Sequence, residues 1–334
     1  MSAPPDVTVV IPTRNRLALL CEAVASVGAQ THPHIELVVV DDGSTDGTWD
    51  WLTAQSDDMT VVMRQTEHGE RSAARNRGLA AASGRFVLFL DDDDRLTPEA
   101  LARLVGSLRE HPDSLAAIGA MVEFDAAGNR RRERHPRRVV RRAAWPDALF
   151  GWKANPGRVL YRVELIREIG GFAEGLRIGE DLELWLRVSR LGPVMFLPYV
   201  VLEARIHPGQ TTITDGRDSF AQITSKHIDG LQDADRAAAQ RVETLRRSYE
   251  AALDALDEHR SSAALTNLIG LVREYPRLVL SPIIRPRVVR ALSKAVIGLV
   301  TGTSGLRSAR RVAAKARRVT RTDAWRGRDG DHPR

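Results

Sequence analysis

The chain of 334 residues holds a single cysteine, Cys21. One thiol can build neither an intrachain disulfide framework nor a cysteine-based zinc cluster, and a reducing compartment fits. Long apolar runs are missing too: nothing approaches the roughly 18 apolar residues of a membrane-spanning helix. The opening MSAPPDVTVVIP lacks the basic start and continuous apolar core of a secretory leader, so the expected location is cytoplasmic. Aromatic residues supply only 5% of the chain. No RNP-type aromatic motif, zinc finger or helix-turn-helix signal accompanies its basic charge, and nucleic acid is not expected as a partner. Acids are scarce at one end. From Arg277 to Arg334 fifteen Lys and Arg face three Asp, an excess of twelve, which leaves −6 on the preceding residues of a chain whose net charge is +6. A mildly acidic body with a strongly basic tail implies a separate, anionic partner for the tail.

What is present begins with an alternation. The apolar runs VTVVI (7–11), IELVVV (35–40), TVVMR (60–64) and FVLFL (86–90) read as buried strands. Between them lie helical patterns, from about Arg16 to Ala29, after DDGSTDGT, and over 71–83 with Gly84 as its stop. Strands alternating with helices imply an α/β fold with a mostly parallel sheet covered on both faces. From about Asp113 the pattern loosens, and RRRERHPRRVVRR (130–142) reads as an exposed loop or hairpin. After about Lys226 the sequence becomes helical throughout. The expected domains are 1–225 and a helical, basic 226–334.

In open parallel sheets ligands lie beyond the carboxyl ends of the strands. Here those ends carry Pro12-Thr13-Arg14-Asn15, Asp41-Asp42-Gly43-Ser44 and Asp91-Asp92-Asp93-Asp94. Four adjacent carboxylates repel one another, and a divalent cation would neutralise them; hard cations take carboxylate oxygens and leave the remaining positions to water and phosphates. Helix capping is the bland alternative, yet Thr97-Pro98-Glu99 already supplies a cap, a first-turn proline and an early acid. Ser44, Thr45 or Asp46 can cap the helix after the second strand, which explains those residues and leaves Asp42 over. A strand-end carboxylate can accept from a nucleobase N–H or from ribose hydroxyls.

VTVVIPTRNR, ELVVVDDGSTDGT, SAARNRGL, LDDDD, GGFAEGLRIGEDLELWLR and RIHPGQTT, in this order, resemble the family 2 glycosyltransferases of the GT-A fold, over roughly residues 7–215. The resemblance implies a Rossmann-like sheet sandwiched by helices. It also implies transfer of a sugar from a UDP-, GDP- or dTDP-sugar to a saccharide or lipid-linked acceptor, in polysaccharide or glycolipid synthesis, with Mn²⁺ or Mg²⁺. By the same resemblance Asp42 reads the base, with Pro12, Thr13, Arg14, Arg75, Asn76, Asp91 and Asp92 on the nucleotide sugar. Asp93, Asp91 and His207 hold the metal. Asp181 is the general base, and Glu180, Trp152, Asn155 and Arg158 line the acceptor side. The arginine-rich 130–142 departs from the family pattern.

Rival functions fit less well. A nucleotidyltransferase would want a glycine-rich basic loop after the first strand, and PTRNR is a poor one. A non-catalytic binding module would show a degraded acidic rim, and a glycoside hydrolase has no use for a metal cluster beside a nucleotide pocket. In the tail, RPRVVRALSKAVIGLV (285–300) places Val289, Leu292, Val296 and Leu299 or Val300 on one helical stripe with Arg287, Arg290 and Lys294 off it. That stripe either packs against the catalytic domain or lies on an anionic membrane surface, for which 285–321 would be the contact, on the inner face of the membrane.

Overall fold

A computed structural model describes residues 4–55, 60–64, 69–132, 138–150, 155–207, 213–279, 288–297 and 299. It divides into two compact units, residues 1–239 and 240–334. In the first unit a ten-stranded sheet forms around β1 (Val7–Thr13), β2 (Ile35–Asp41), β3 (Thr60–Arg64) and β4 (Phe86–Phe89). Their order is β3-β2-β1-β4, all parallel. Each crossover is a helix: α1 (Leu17–Gly28), α2 (Thr48–Gln55) and α3 (Glu70–Ala81). Every residue of β1 and β4 is buried, as expected of strands covered on both faces.

Beyond β4 the sheet changes character. The two-residue β5 (Arg95–Leu96) is followed by α4 (Ala100–Glu110), β6 (Ala116–Asp125), β7 (Arg130–Arg132), β8 (Val140–Ala143), β9 (Val159–Arg162), α5 (Val163–Glu168), α6 (Glu180–Leu191) and β10 (Pro193–Ile206). The antiparallel β9 joins β4 to β6, and β6 runs parallel to β10. The parallel half is therefore the one that the strand–helix alternation predicts, whereas the second half is mixed. The arginine-rich segment is not a hairpin closed on itself: β7 pairs with β6 and β8 with β10, and 133–137 lie outside the described residues.

Two local expectations fail for instructive reasons. Gly84 does not stop α3, which is capped at Ala82. A Cβ at Gly84 would sit 2.7 Å from the Thr8 amide nitrogen, so this glycine permits close approach to β1. Thr97 does not cap α4 through its side chain; its hydroxyl donates to the Val200 carbonyl at 2.8 Å, tying the segment to β10. Asp46, by contrast, accepts from the Thr48 amide at the start of α2 and from the Leu17 amide at the start of α1.

The helices α7 (Ile213–Asp229) and α8 (Asp233–Asp257) follow, and the division between units falls within α8. The second unit continues with α9 (Ser261–Glu274), α10 (Pro276–Val279) and a helical segment over 288–297. Among the described residues no helix is long and apolar enough to cross a membrane.

Candidate active site

The site is built where β1, β2 and β4 end. Thr13 closes β1 and donates its hydroxyl to Asp92 Oδ2 at 2.8 Å. Its carbonyl accepts from the Asp42 amide at 2.9 Å, which locks the residue after β2 beside β1. Asp42 is buried and its Oδ1 accepts from the Gly69 amide at 2.9 Å, just before α3. Pro12 is buried with Thr13, while Arg14 is exposed.

The four aspartates have separate partners. Asp91 Oδ1 takes the Nη2 of Arg75 at 2.5 Å. Asp92 and Asp93 are bridged by Arg16, whose Nη1 lies 3.1 Å from Asp92 Oδ1 and 2.9 Å from Asp93 Oδ2. His207 Nε2, at the end of β10, lies 3.0 Å from that same Asp93 oxygen. Asp94 is buried and accepts from the Arg205 amide at 2.9 Å and from Asn155 Nδ2 at 3.2 Å. Burial pushes the Asp92 carboxyl up to about 6, against the opposing pull of Arg16 and Thr13. Burial, with Asp91 and Asp93 adding repulsion, raises Asp94 well above the usual carboxylate range.

The acid pair stands at the start of α6. Gly179 precedes it with φ +95°, and a Cβ there would come within 2.7 Å of Ile223 Cδ1, so only glycine suits this entry to the helix. Glu180 is buried and receives Arg75 Nη1 at 2.9 Å. Asp181 is half-buried, with Oδ1 accepting from the Leu182 amide at 2.7 Å. Its carboxyl is pushed up to about 6, first by loss of hydration and second by the Glu180 charge. Burial and the nearby Asp181 charge likewise raise the buried Tyr161 phenol.

Arg75 joins these halves. The guanidinium is buried, lies 5.2 Å from the Phe172 ring centroid, and spans Asp91 and Glu180. Burial works against its charge, but the two carboxylates outweigh that and hold it protonated. Asn76, one residue on, gives its amide to the Phe172 carbonyl and to Glu174, and receives the Phe172 amide. Both side chains assigned to the nucleotide by resemblance are thus engaged by protein groups. A continuous set of contacts runs from Asp42 through Thr13, Asp92, Arg16 and Asp93 to His207. A second runs from Asp91 through Arg75 to Glu180, beside Asp181.

On the remaining side Asn155 opens the short turn Pro156–Arg158, its Oδ1 accepting from the Gly157 amide at 2.9 Å. Arg158 is buried. Trp152 lies outside the described residues. Arg16 and Arg205 contact the aspartate run and were not singled out from the sequence. In a chain with 49 Lys and Arg, neither has a local signal that separates it from a solvated cation.

The residues present suit a divalent cation. Asp91, Asp93 and Asp94 each offer a carboxylate oxygen within 4.8 Å of one another. His207 stands outside that cluster of three, its Nε2 3.0 Å from Asp93 Oδ2, and offers an imidazole nitrogen beside it.

Residues 8–173 match the model of "Glycosyl transferase family 2". An uncharacterized glycosyltransferase of Rickettsia prowazekii is 26% identical over 216 residues, covering 63% of this chain and 67% of that one. The GalNAc(5)-diNAcBac-PP-undecaprenol beta-1,3-glucosyltransferase of Campylobacter jejuni is 38% identical over 109 residues, 32% of this chain and 35% of that one. This chain spans between 24% and 67% of the length of the first curated relatives it matches. Among solved structures, S. aureus TarS 1-349 in complex with UDP-GlcNAc aligns with a TM-score of 0.61 at 19% identity, over 89% of this chain and 92% of that one. The mannosyltransferase PcManGT from Pyrobaculum calidifontis, in complex with GDP-Man and Mn²⁺, aligns with a TM-score of 0.56 at 20% identity, over 90% and 89%. At such identities the structural likeness is one of fold. Through residues 8–173, carried on this fold, the chain belongs to glycosyl transferase family 2.

Proposed function

We propose that this chain moves a sugar from a nucleoside diphosphate sugar to a hydroxyl of a saccharide or lipid-linked acceptor, in polysaccharide or glycolipid synthesis. The observation that supports it most is the continuity of the site. Asp42 reaches the Asp91–Asp94 turn through Thr13, and Glu180, beside Asp181, reaches it through Arg75. A solved relative of the fold holds UDP-GlcNAc and another GDP-Man with Mn²⁺, which favours a nucleotide-sugar donor. The lipid-linked acceptor in the Campylobacter enzyme's name favours an acceptor of that class. Residues 1–225 form the catalytic part in this reading, with 226–334 as a helical addition and the cytoplasm as the working compartment.

Asp181 accepts the acceptor hydroxyl proton as that oxygen attacks the anomeric carbon. The new C–O bond forms as the bond to the diphosphate oxygen breaks, and the diphosphate leaves with the electron pair. Attack opposite the leaving group inverts the anomeric centre. Thr13 and Asp42 seat the nucleoside, with Pro12 and Arg14 beside them. Arg75 holds Asp91 and Glu180 in place around the reacting groups. Asp91, Asp93 and His207 would hold Mn²⁺ or Mg²⁺, which when bound supplies positive charge against the departing diphosphate.

Asp181→Asn is the direct test. It should retain nucleotide-sugar binding while transfer falls by ~10²–10⁴, read by donor turnover across a panel of nucleotide sugars. Near-normal turnover removes Asp181 as the base. Nuclear magnetic resonance of the product linkage decides inversion.

A further inference from the structure

The helical segment over 288–297 turns its apolar stripe outward. It is buried through Val288, Ala291 and Ala295, at 0%, 1% and 0% exposure. Val289 and Val296, seven residues apart and so on one stripe, are 49% and 48% exposed, with Ile297 at 37% and Leu299 at 48%. Six of the eleven exposed large apolar residues among the described ones fall between Ile269 and Leu299. Packing of the predicted stripe against protein is therefore not what the structure shows for Val289 and Val296.

We propose that this face is a docking surface for an anionic lipid bilayer. Its charge argues for that occupant. Arg290 is exposed beside Val289, and the sequence from Arg277 onward carries fifteen Lys and Arg against three Asp. Aliphatic side chains flanked by basic ones suit acyl chains beneath acidic headgroups. A second copy of this chain would bring the same positive charge against itself. Nucleic acid would meet valine, isoleucine and leucine where it needs stacking or hydrogen-bonding groups. Residues 280–287, 298 and 300–334 lie outside the described residues and enter only through their charge. This inference requires neither donor nor Asp181, so it stands or falls apart from the transfer reaction.

The test is co-sedimentation of the full chain with phosphatidylglycerol-rich vesicles and, separately, with pure phosphatidylcholine vesicles. Binding should favour the anionic vesicles and weaken steeply with added salt. Val289→Asp with Val296→Asp, at two exposed positions, should lower vesicle affinity ~10-fold or more while circular dichroism and nucleotide binding stay unchanged. Asp181→Asn should bind vesicles as the parent does. Absence of vesicle binding by the full chain, equal binding to both lipids, or undiminished binding by the double variant overturns the proposal. So does a tighter complex with single-stranded RNA that competes vesicles away, or self-association abolished by the same two substitutions.

Discussion

Asp181 carries opposing demands in one carboxyl group. In its proposed role as the base it must be ionised, yet lost hydration and the neighbouring Glu180 push it up to about 6, with Arg75 and the Leu182 amide pulling the other way. Transfer should therefore rise with pH through an acid limb near 6, visible in a pH–rate profile. The stability sign is opposite. A carboxyl whose folded pKa exceeds its unfolded one binds its proton more tightly when folded, so native stability from this group declines as pH rises from about 4 to about 6 and stays lowered above that. Asp181→Asn removes the cost. It should unfold at a higher urea midpoint than the parent at neutral pH, by on the order of 1–2 kcal/mol, with the difference vanishing near pH 4. At this scale the sequence was informative wherever acids cluster at strand ends. Asp42 and Asp91–Asp94 are conspicuous because like charges have no structural reason to gather there, whereas the Glu180–Asp181 pair opens a helix, where acids are ordinary, and was singled out by the resemblance alone. Arginines carry no such signal. Arg75 was attached to the nucleotide by resemblance, and its span between Asp91 and Glu180 depends on residues distant from it in the sequence.

Elements set the positions of these groups, and α6 shows how. Its entry needs Gly179 with φ +95° and no room for a Cβ against Ile223 and Phe220. Gly179→Ala forces left-handed backbone on an L-residue and a contact with Ile223, costing about 1–3 kcal/mol. Because Glu180 and Asp181 are the next two residues, the shift should reach the proposed base directly. Turnover should fall by at least an order of magnitude while donor affinity changes little, measured by steady-state kinetics beside thermal unfolding. The four parallel strands were readable because each is a short apolar run, β-branched in the first three and aromatic in the fourth, bounded by turn residues. The mixed half was not: β7, β8 and β9 are three or four residues long, and two of them are mostly arginine and valine. Their pairing comes from tertiary contact with β6, β4 and β10, which no local pattern encodes. Gly84 and Thr97 misled for a related reason, since each looks like helix punctuation and instead serves a neighbouring strand.

For the whole molecule, ligand linkage offers a check on the metal proposal that does not depend on turnover. A nucleotide that binds only the folded protein stabilises it by about 2.7 kcal/mol at a hundredfold excess over its Kd. UDP or GDP should raise the Tm, and the rise should be larger with Mn²⁺ present. Asp93→Ala should lose the metal-dependent part and keep the remainder. An unchanged Mn²⁺ increment in Asp93→Ala would remove Asp93 from the metal site. At this scale the separation of charge between body and tail was plain in the sequence. The outward turn of Val289 and Val296 was not, because a periodic apolar stripe looks the same whether protein, lipid or water lies opposite.

The fourth aspartate of the run has a consequence for motion. One oxygen of Asp94 is fastened to the amide of Arg205, two residues before His207, and the other to the amide group of Asn155. The imidazole-bearing strand end and the turn leading to Arg158 therefore share a single pivot. Neither the end of β10 nor the Asn155 turn can shift alone without breaking one of the two hydrogen bonds to the buried Asp94, so a displacement of one is passed to the other.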